Sequence, residues 1–301
     1  MPNILVSGLI NIETTMRVES FPIPYSPIFY PFFGINSSVS GVGYNIARAL
    51  TILGDDVRLL SLIGKDPLAE LVRLALQRDG IRAENVFPVL NQTAQSVILY
   101  DGEGRREINV DLKDVQDTAY PESRFKHAAA ASDLLVLCNI NFSRPFLEPA
   151  RRSGKRVATD VHAISSLDDP YNLDFMRSAQ ILFMSHKWLP DRPEIWARQV
   201  WKRFGTDIVV IGMGSEGALL AVRADNFIER IPAVRTLPLV STIGAGDALF
   251  SSFLHVYCQT NDPYLALRKA QVFASYKISA TSAADGFLNE AGLEEWFTKT
   301  Q

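Results

Sequence analysis

Short apolar runs recur along this chain, and most are separated by stretches with helical spacing. Ile4 to Ser7 reads as a buried strand that stops at Gly8. Ile46, Leu50 and Leu53 follow the i, i+4, i+7 spacing of an amphipathic helix, with Gly54 as its stop. A strand over Val57 to Ile63 then leads through Gly64-Lys65-Asp66 to a helix that opens at Pro67 and closes at Gly80. Asp133 to Ile140, Arg156 to Asp160, Gln180 to Met184 and Asp207 to Gly212 are further buried-strand runs, and Glu194 to Phe204 is helical. Such alternation predicts an α/β fold with a doubly wound, mostly parallel sheet flanked by helices. Ala218 to Val222 and Phe227 to Ile231 read as a hairpin on the sheet edge. Three helices close the chain: Ala245 to Cys258, Pro263 to Ala280 and Glu290 to Phe297.

Two stretches break the alternation. Gln95 to Asp101 and Arg105 to Asp111 flank Gly102-Glu103-Gly104 as a β-hairpin, with no helix expected before the next buried strand. A hairpin inserted in an α/β chain predicts a small β lid, built from about residues 12–40 and 93–113 within one domain of residues 1–301. Arg105 and Arg106 in that hairpin read as solvated. Phe21 to Phe33 interleaves four prolines with six aromatics, which excludes a helix or a central strand. A loop or edge segment covering an apolar surface is expected there; a flap, a dimer contact and irregular core packing all stay open.

Composition narrows the partners. A net charge of −3 gives no bulk attraction for nucleic acid or an anionic membrane. Only Cys138 and Cys258 are present, which argues against a disulfide framework. The amino terminus lacks a basic segment and a long apolar run, and no stretch reaches the roughly 18 apolar residues of a spanning helix. A cytoplasmic protein is expected.

Candidate chemistry centres on Val240 to Phe250, where an extended segment enters a Gly-Ala-Gly-Asp turn and then an apolar helix. A helix start offers unpaired N–H groups and partial positive charge to an anion. Asp247 beside it could take a proton from an attacking hydroxyl, or could simply cap a tight turn. Asn11 and Glu13 lie two apart, on one face, just past the first strand, where open α/β sheets place ligands. Ser37 to Asn45 is a second glycine-rich helix start, with Asn45 able to hydrogen-bond a ligand. Gly212-Met213-Gly214-Ser215-Glu216-Gly217 matches the dinucleotide fingerprint, but strand-like Ala218 to Val222 follows, which argues against an oxidoreductase. No phosphate-binding G-x-x-x-x-G-K-[ST] loop occurs, and the four histidines and two cysteines lack metal-ligand spacing, so no protein metal cluster is expected. The Gly244 to Asp247 turn is therefore the phosphate cradle this chain offers.

These residues resemble the ribokinase-like (PfkB) carbohydrate and nucleoside kinases. The resemblance rests on Gly8 to Glu13 as Gly-x-x-Asn-x-Glu, Ser40 to Asn45 as a glycine-rich substrate loop, and Ser241 to Ala248 as Ser-Thr-Ile-Gly-Ala-Gly-Asp-Ala. It implies ATP-dependent phosphorylation of a sugar or nucleoside hydroxyl under a β lid. Asp247 would be the base, and the N–H groups of Gly244, Ala245 and Gly246 the anion hole. Asn11, Glu13, Gly41, Gly43 and Asn45 would bind the acceptor, with Asn141 at a further polar contact. Gly212, Gly214 and Gly217 would lie along ATP, with Ser185 and Lys187 nearby and Mg²⁺ bridging the phosphates. Lid strands often pair between subunits in this family, which implies a homodimer. Three departures stand out. Glu13 replaces the usual Asp, Ser185-His186-Lys187-Trp188 replaces an Asn-x-x-Glu motif, and Ser241 replaces a leading Asp, which puts an activating potassium ion in doubt. The lost Asn-x-x-Glu also keeps a second reading open, a degenerate kinase fold that binds or senses a metabolite.

Overall fold

The apolar runs become a nine-stranded sheet buried on both faces. The computed structural model describes residues 1–301. Its main-sheet strands are β1 (Asn3–Ser7), β4 (Asp56–Gly64), β5 (Val86–Leu90), β8 (Leu134–Leu137), β9 (Arg156–Ala163), β10 (Ile181–Ser185), β11 (Ile208–Gly212), β12 (Ala218–Val222) and β13 (Phe227–Ile231). They lie in the order β13-β12-β11-β10-β9-β8-β1-β4-β5. All neighbours are parallel except β11–β12 and β12–β13, the edge hairpin. Alternation along β1 sends Ile4 and Val6 into one core and Leu5 into the other.

Helices cover the two faces separately. α1 (Val42–Leu53), α2 (Leu68–Arg78), α7 (Ala245–Thr260), α8 (Pro263–Lys277) and α9 (Glu290–Lys299) contribute to the first core. α3 (Glu122–Ala130), α4 (Leu147–Arg152), α5 (Leu173–Ser178) and α6 (Pro193–Phe204) contribute to the second. This is the doubly wound arrangement that the alternation predicts. None of these helices is long and apolar enough to cross a membrane.

A second sheet stands apart from the first. β2 (Asn11–Arg17), β3 (Ile35–Ser40), β6 (Gln95–Tyr100) and β7 (Arg106–Asp111) form it in the order β3-β2-β6-β7. β2 pairs parallel with β6 and antiparallel with β3, and β6 pairs antiparallel with β7. Register puts Glu13, Ser38, Ser96 and Val110 on one row, with Thr15, Asn36, Ile98 and Ile108 two rows along, on the same face. Ile98 packs with Ile243 and Ala283, so this sheet rests on the segment that precedes α7.

Three sequence expectations need correction. A helix does intervene between the hairpin and the next buried strand: α3 buries only Phe125 and Ala128, too few apolar positions to betray an amphipathic stripe. β5 carries Pro88 and escapes an apolar reading, yet it sits at the sheet edge, where proline is tolerated. The aromatic loop between β2 and β3 covers no apolar surface. Tyr25 is 95% exposed, Phe32 84% and Phe33 102%.

Candidate active site

The carboxyl ends of the parallel strands and the start of α7 meet at one edge. α7 is anchored by Phe250 and Phe253, whose rings lie 4.7 and 5.2 Å from Phe183 of β10. Asp247 is three residues before Phe250, so the helix aims its first turn at that edge. Gly244 takes the left-handed conformation (φ 75°), and a Cβ there would lie 2.4 Å from the Ala283 carbonyl oxygen. Only glycine fits this turn. The Ala245 N–H reaches Thr242 O at 3.3 Å, whereas the N–H groups of Gly246 and Asp247 reach no backbone carbonyl. Those free donors, with the helix dipole behind them, are of the kind that can hold an anion.

A chain of hydrogen bonds leads away from Asp247. Asn45 Nδ2 donates to Asp247 Oδ2 at 2.7 Å. The Ser40 hydroxyl lies 3.2 Å from Asn45 Oδ1 and 3.0 Å from Glu13 Oε2, so its one proton can serve either. Glu13 Oε1 accepts from the Ala283 N–H at 3.3 Å. Asn11, opposite Ser40 in the ladder, donates to Ser96 Oγ at 3.0 Å and keeps its buried Oδ1 unpaired. Asp247 of α7, Asn45 of α1 and the β2 pair Asn11 and Glu13 therefore gather at one place from three separate parts of the chain. Burial pushes the Asp247 carboxyl up to about 6; Asn45 and His162 oppose the shift, while Asp160 and Glu13 add to it. Burial also raises Glu13, against the hydrogen bonds from Ala283 and Ser40.

Local packing explains why the second glycine-rich motif has its glycines. A Cβ on Gly43 would lie 2.4 Å from the Gly8 carbonyl carbon, so α1 can begin against the β1–β2 corner only without a side chain there. Gly43 and Tyr44 N–H groups then reach Leu9 O at 3.0 and 3.2 Å. Gly41 caps the helix, and this docking delivers Asn45 to Asp247.

Other expected site residues lie elsewhere. Ser185 and Gly212 are register partners at the ends of β10 and β11, and His186 Nδ1 lies 2.9 Å from Gly212 O. Lys187 and Trp188 are exposed. Gly214 begins a single turn, and Gly217 passes directly into antiparallel β12, so no helix follows as a dinucleotide fingerprint requires. Asn141 is engaged beyond the Asp247 hydrogen-bond chain. Its amide donates to Gln116 O at 3.0 Å, and its Oδ1 accepts from Arg144 Nε and Nη2 at 3.4 and 3.3 Å. Asn139 is likewise held by Asn172 at 3.0 Å.

Several members of the site escape sequence spacing. Arg106 of the small sheet is exposed, in keeping with its solvated reading, and its Nη1 also donates to Thr242 O at 2.6 Å and to Thr242 Oγ1 at 3.0 Å. Asp160 and His162 at the end of β9 stand within electrostatic reach of Asp247. Lys277 of α8 is fully buried near the same carboxylates. Only the position of Asp160 and His162, at the carboxyl end of a parallel strand, could have marked them in advance.

Comparison with known proteins gives the lineage of this arrangement. The family described as pfkB family carbohydrate kinase matches residues 1–290. An acarbose 7(IV)-phosphotransferase from an Actinoplanes species is 25% identical over 293 residues, 97% of either chain. A deoxyribokinase from Salmonella typhi is 26% identical over 312 aligned positions, 98% of this chain and 99% of that one. Among solved structures, a microbiome-derived acarbose kinase superposes with a TM-score of 0.88 at 25% identity, covering 99% of both chains. A family match over nearly the full length, on a ribokinase-like fold, means that the chain belongs to the pfkB family of carbohydrate kinases.

Proposed function

We propose that this kinase transfers the γ-phosphoryl group of ATP to a hydroxyl of a sugar or sugar-derived acceptor, with Asp247 as the base. The observation that carries this reading is the Asp247 carboxylate, fixed by Asn45 at 2.7 Å beside the open N–H groups of the α7 turn. Phosphoryl transfer asks for little more than positioning and charge stabilisation. Asn45 orients the carboxylate, Asp247 accepts the acceptor's proton, and the Gly244-Ala245-Gly246 turn gathers the charge on the moving phosphoryl. Asn11, Glu13, Gly41, Gly43 and Asn45 shape the acceptor side. Gly43 contributes by close packing, and Asn11 by its unpaired Oδ1. Two full-length relatives are named for acting on acarbose, which favours a sugar-derived acceptor over a nucleoside.

ATP lies, on this reading, along Gly212, Gly214 and Gly217 with Ser185 and Lys187 at its phosphate end. Magnesium is a hard ion that takes oxygen ligands and keeps much of its water. Ser185 to Trp188 offers it no carboxylate, so the protein oxygens that fit are those of Asp160 at the end of β9, with the nucleotide and water supplying the rest. A homodimer through the lid is part of the proposal, supported by Ile35 and Val97 at 53% and 45% exposure and by the exposed aromatic loop. The reaction would take place in the cytoplasm, where ATP is.

ADP release by the purified protein with ATP, Mg²⁺ and a panel of sugars, aminocyclitol-type sugar derivatives and nucleosides tests this. Ligand binding without turnover of any acceptor would favour the metabolite-binding alternative, for which Ser185 to Trp188 is the supporting feature. Two further outcomes are expected. Asp247 works only when ionised and its carboxyl titrates near about 6, so kcat/KM should fall about tenfold per pH unit below that value. A flat profile from pH 7 to 5 would remove Asp247 as the base. Arg106→Ala should raise the acceptor KM by about tenfold while changing the ATP KM little, because it releases the lid from Thr242. Equal effects on both constants would mean that the contact does not govern acceptor closure.

A further inference from the structure

Lys277, in the last turn of α8, is a charged residue with 0% exposure. Its ammonium has three N–H donors, and the structure gives it one acceptor, Ser282 O at 2.7 Å. Removing such a group from water costs several kcal/mol unless charges and hydrogen bonds offset it. A helix that needed only packing here would do better with methionine or leucine.

What the ammonium holds is the rear wall of the phosphate cradle. Ser282 O belongs to the turn whose next residue, Ala283, bounds Gly244 and donates its N–H to Glu13. The Ser282 hydroxyl in turn lies 3.1 Å from Ser38 Oγ of the lid. Ile278 O, one residue past Lys277, accepts from Val240 and Ser241 N–H at 2.9 and 3.0 Å, tying down the segment that enters the cradle. Burial draws Lys277 down to about 8, while the negative charges of Asp247, Glu13 and Asp285 favour its protonated form and Arg106 opposes it.

We propose, building on the kinase reading above, that Lys277 is a positioning residue whose buried ammonium serves as a built-in cation behind the phosphate cradle. It presses the Ser282–Ala283 turn against Gly244 and supplies fixed positive charge there, so phosphoryl transfer needs no loose monovalent metal ion.

The test uses the full-length kinase and three readouts. With tetramethylammonium as the only added monovalent cation, wild-type kcat should agree with that in potassium within about two-fold. Lys277→Met should lower kcat on the order of 10²-fold while keeping its melting temperature, and potassium or methylammonium should restore part of the rate. Wild-type kcat should also decline as pH rises through about 8, where the ammonium is lost, and Lys277→Arg should move that limb to higher pH. Strong stimulation of the wild type by potassium, or full kcat in Lys277→Met, would overturn the proposal. If Lys277→Met does not fold, the wild-type cation series and the alkaline limb decide. A protein that turns over no acceptor overturns the kinase reading instead. ATP affinity by calorimetry across the same cations then reads the built-in charge, with an unchanged wild-type value expected and a potassium-dependent one against it.

Discussion

Asp247→Asn should lower kcat by about 10³-fold and leave ATP affinity nearly unchanged. The amide keeps the size of the carboxylate but cannot accept the acceptor's proton. Asn45 Nδ2 would face another amide, which can still present its oxygen, so the geometry at 2.7 Å has no reason to collapse. Burial disfavours the ionised form of this side chain, so the neutral variant should melt no lower than the wild type at neutral pH. Steady-state ADP release gives the rate, calorimetry the nucleotide affinity, and thermal denaturation the fold. A variant that retains kcat within about tenfold would mean that another group or water takes the proton.

Gly244→Ala should combine a loss of activity with a loss of stability. Its φ of 75° disfavours any side chain by about 1–2 kcal/mol, and its Cβ would meet the Ala283 carbonyl oxygen at 2.4 Å. The obstacle is backbone rather than a flexible side-chain tip, so the turn or the Ala283 segment must move. A shift of either misplaces the cradle donors, for which a loss of about 10²-fold in kcat is expected. Gly54→Ala supplies the control. Gly54 has φ 101° and nothing within 4 Å of its would-be Cβ, at the far end of α1. It should show the conformational penalty in its melting temperature and none of the catalytic loss. Equal kcat in both variants would show that the cradle tolerates displacement.

Much of this layout is legible from residue order. The buried strands and the glycine stop of α1 follow from local chemistry, as does the helix at Ala245. Asn11 and Glu13 share a face because a strand has a period of two. Bonds between distant segments are not legible in this way. Ser40 joins Asn45 to Glu13 because β3 leads into α1 beside β2, and no spacing rule encodes that. Arg106 and Lys277 look like ordinary surface cations in sequence, since their surroundings come from residues more than a hundred positions away or from a loop that folds back. Asn141 shows the same gap between position and partners. Its position suggests a ligand contact, while the structure engages it with Gln116 and Arg144.

The parallel pairing of β2 with β6 has a consequence for how this molecule is made. Its first rung joins Ile12 to Gln95, and α1, β4, α2 and β5 all lie between them in sequence. Closing so long a loop is entropically costly until the intervening elements have docked. The small sheet therefore closes across the amino-terminal half of the chain, and it is not a detachable cassette. Anyone wishing to transplant its acceptor face between relatives would have to move that half of the chain with it.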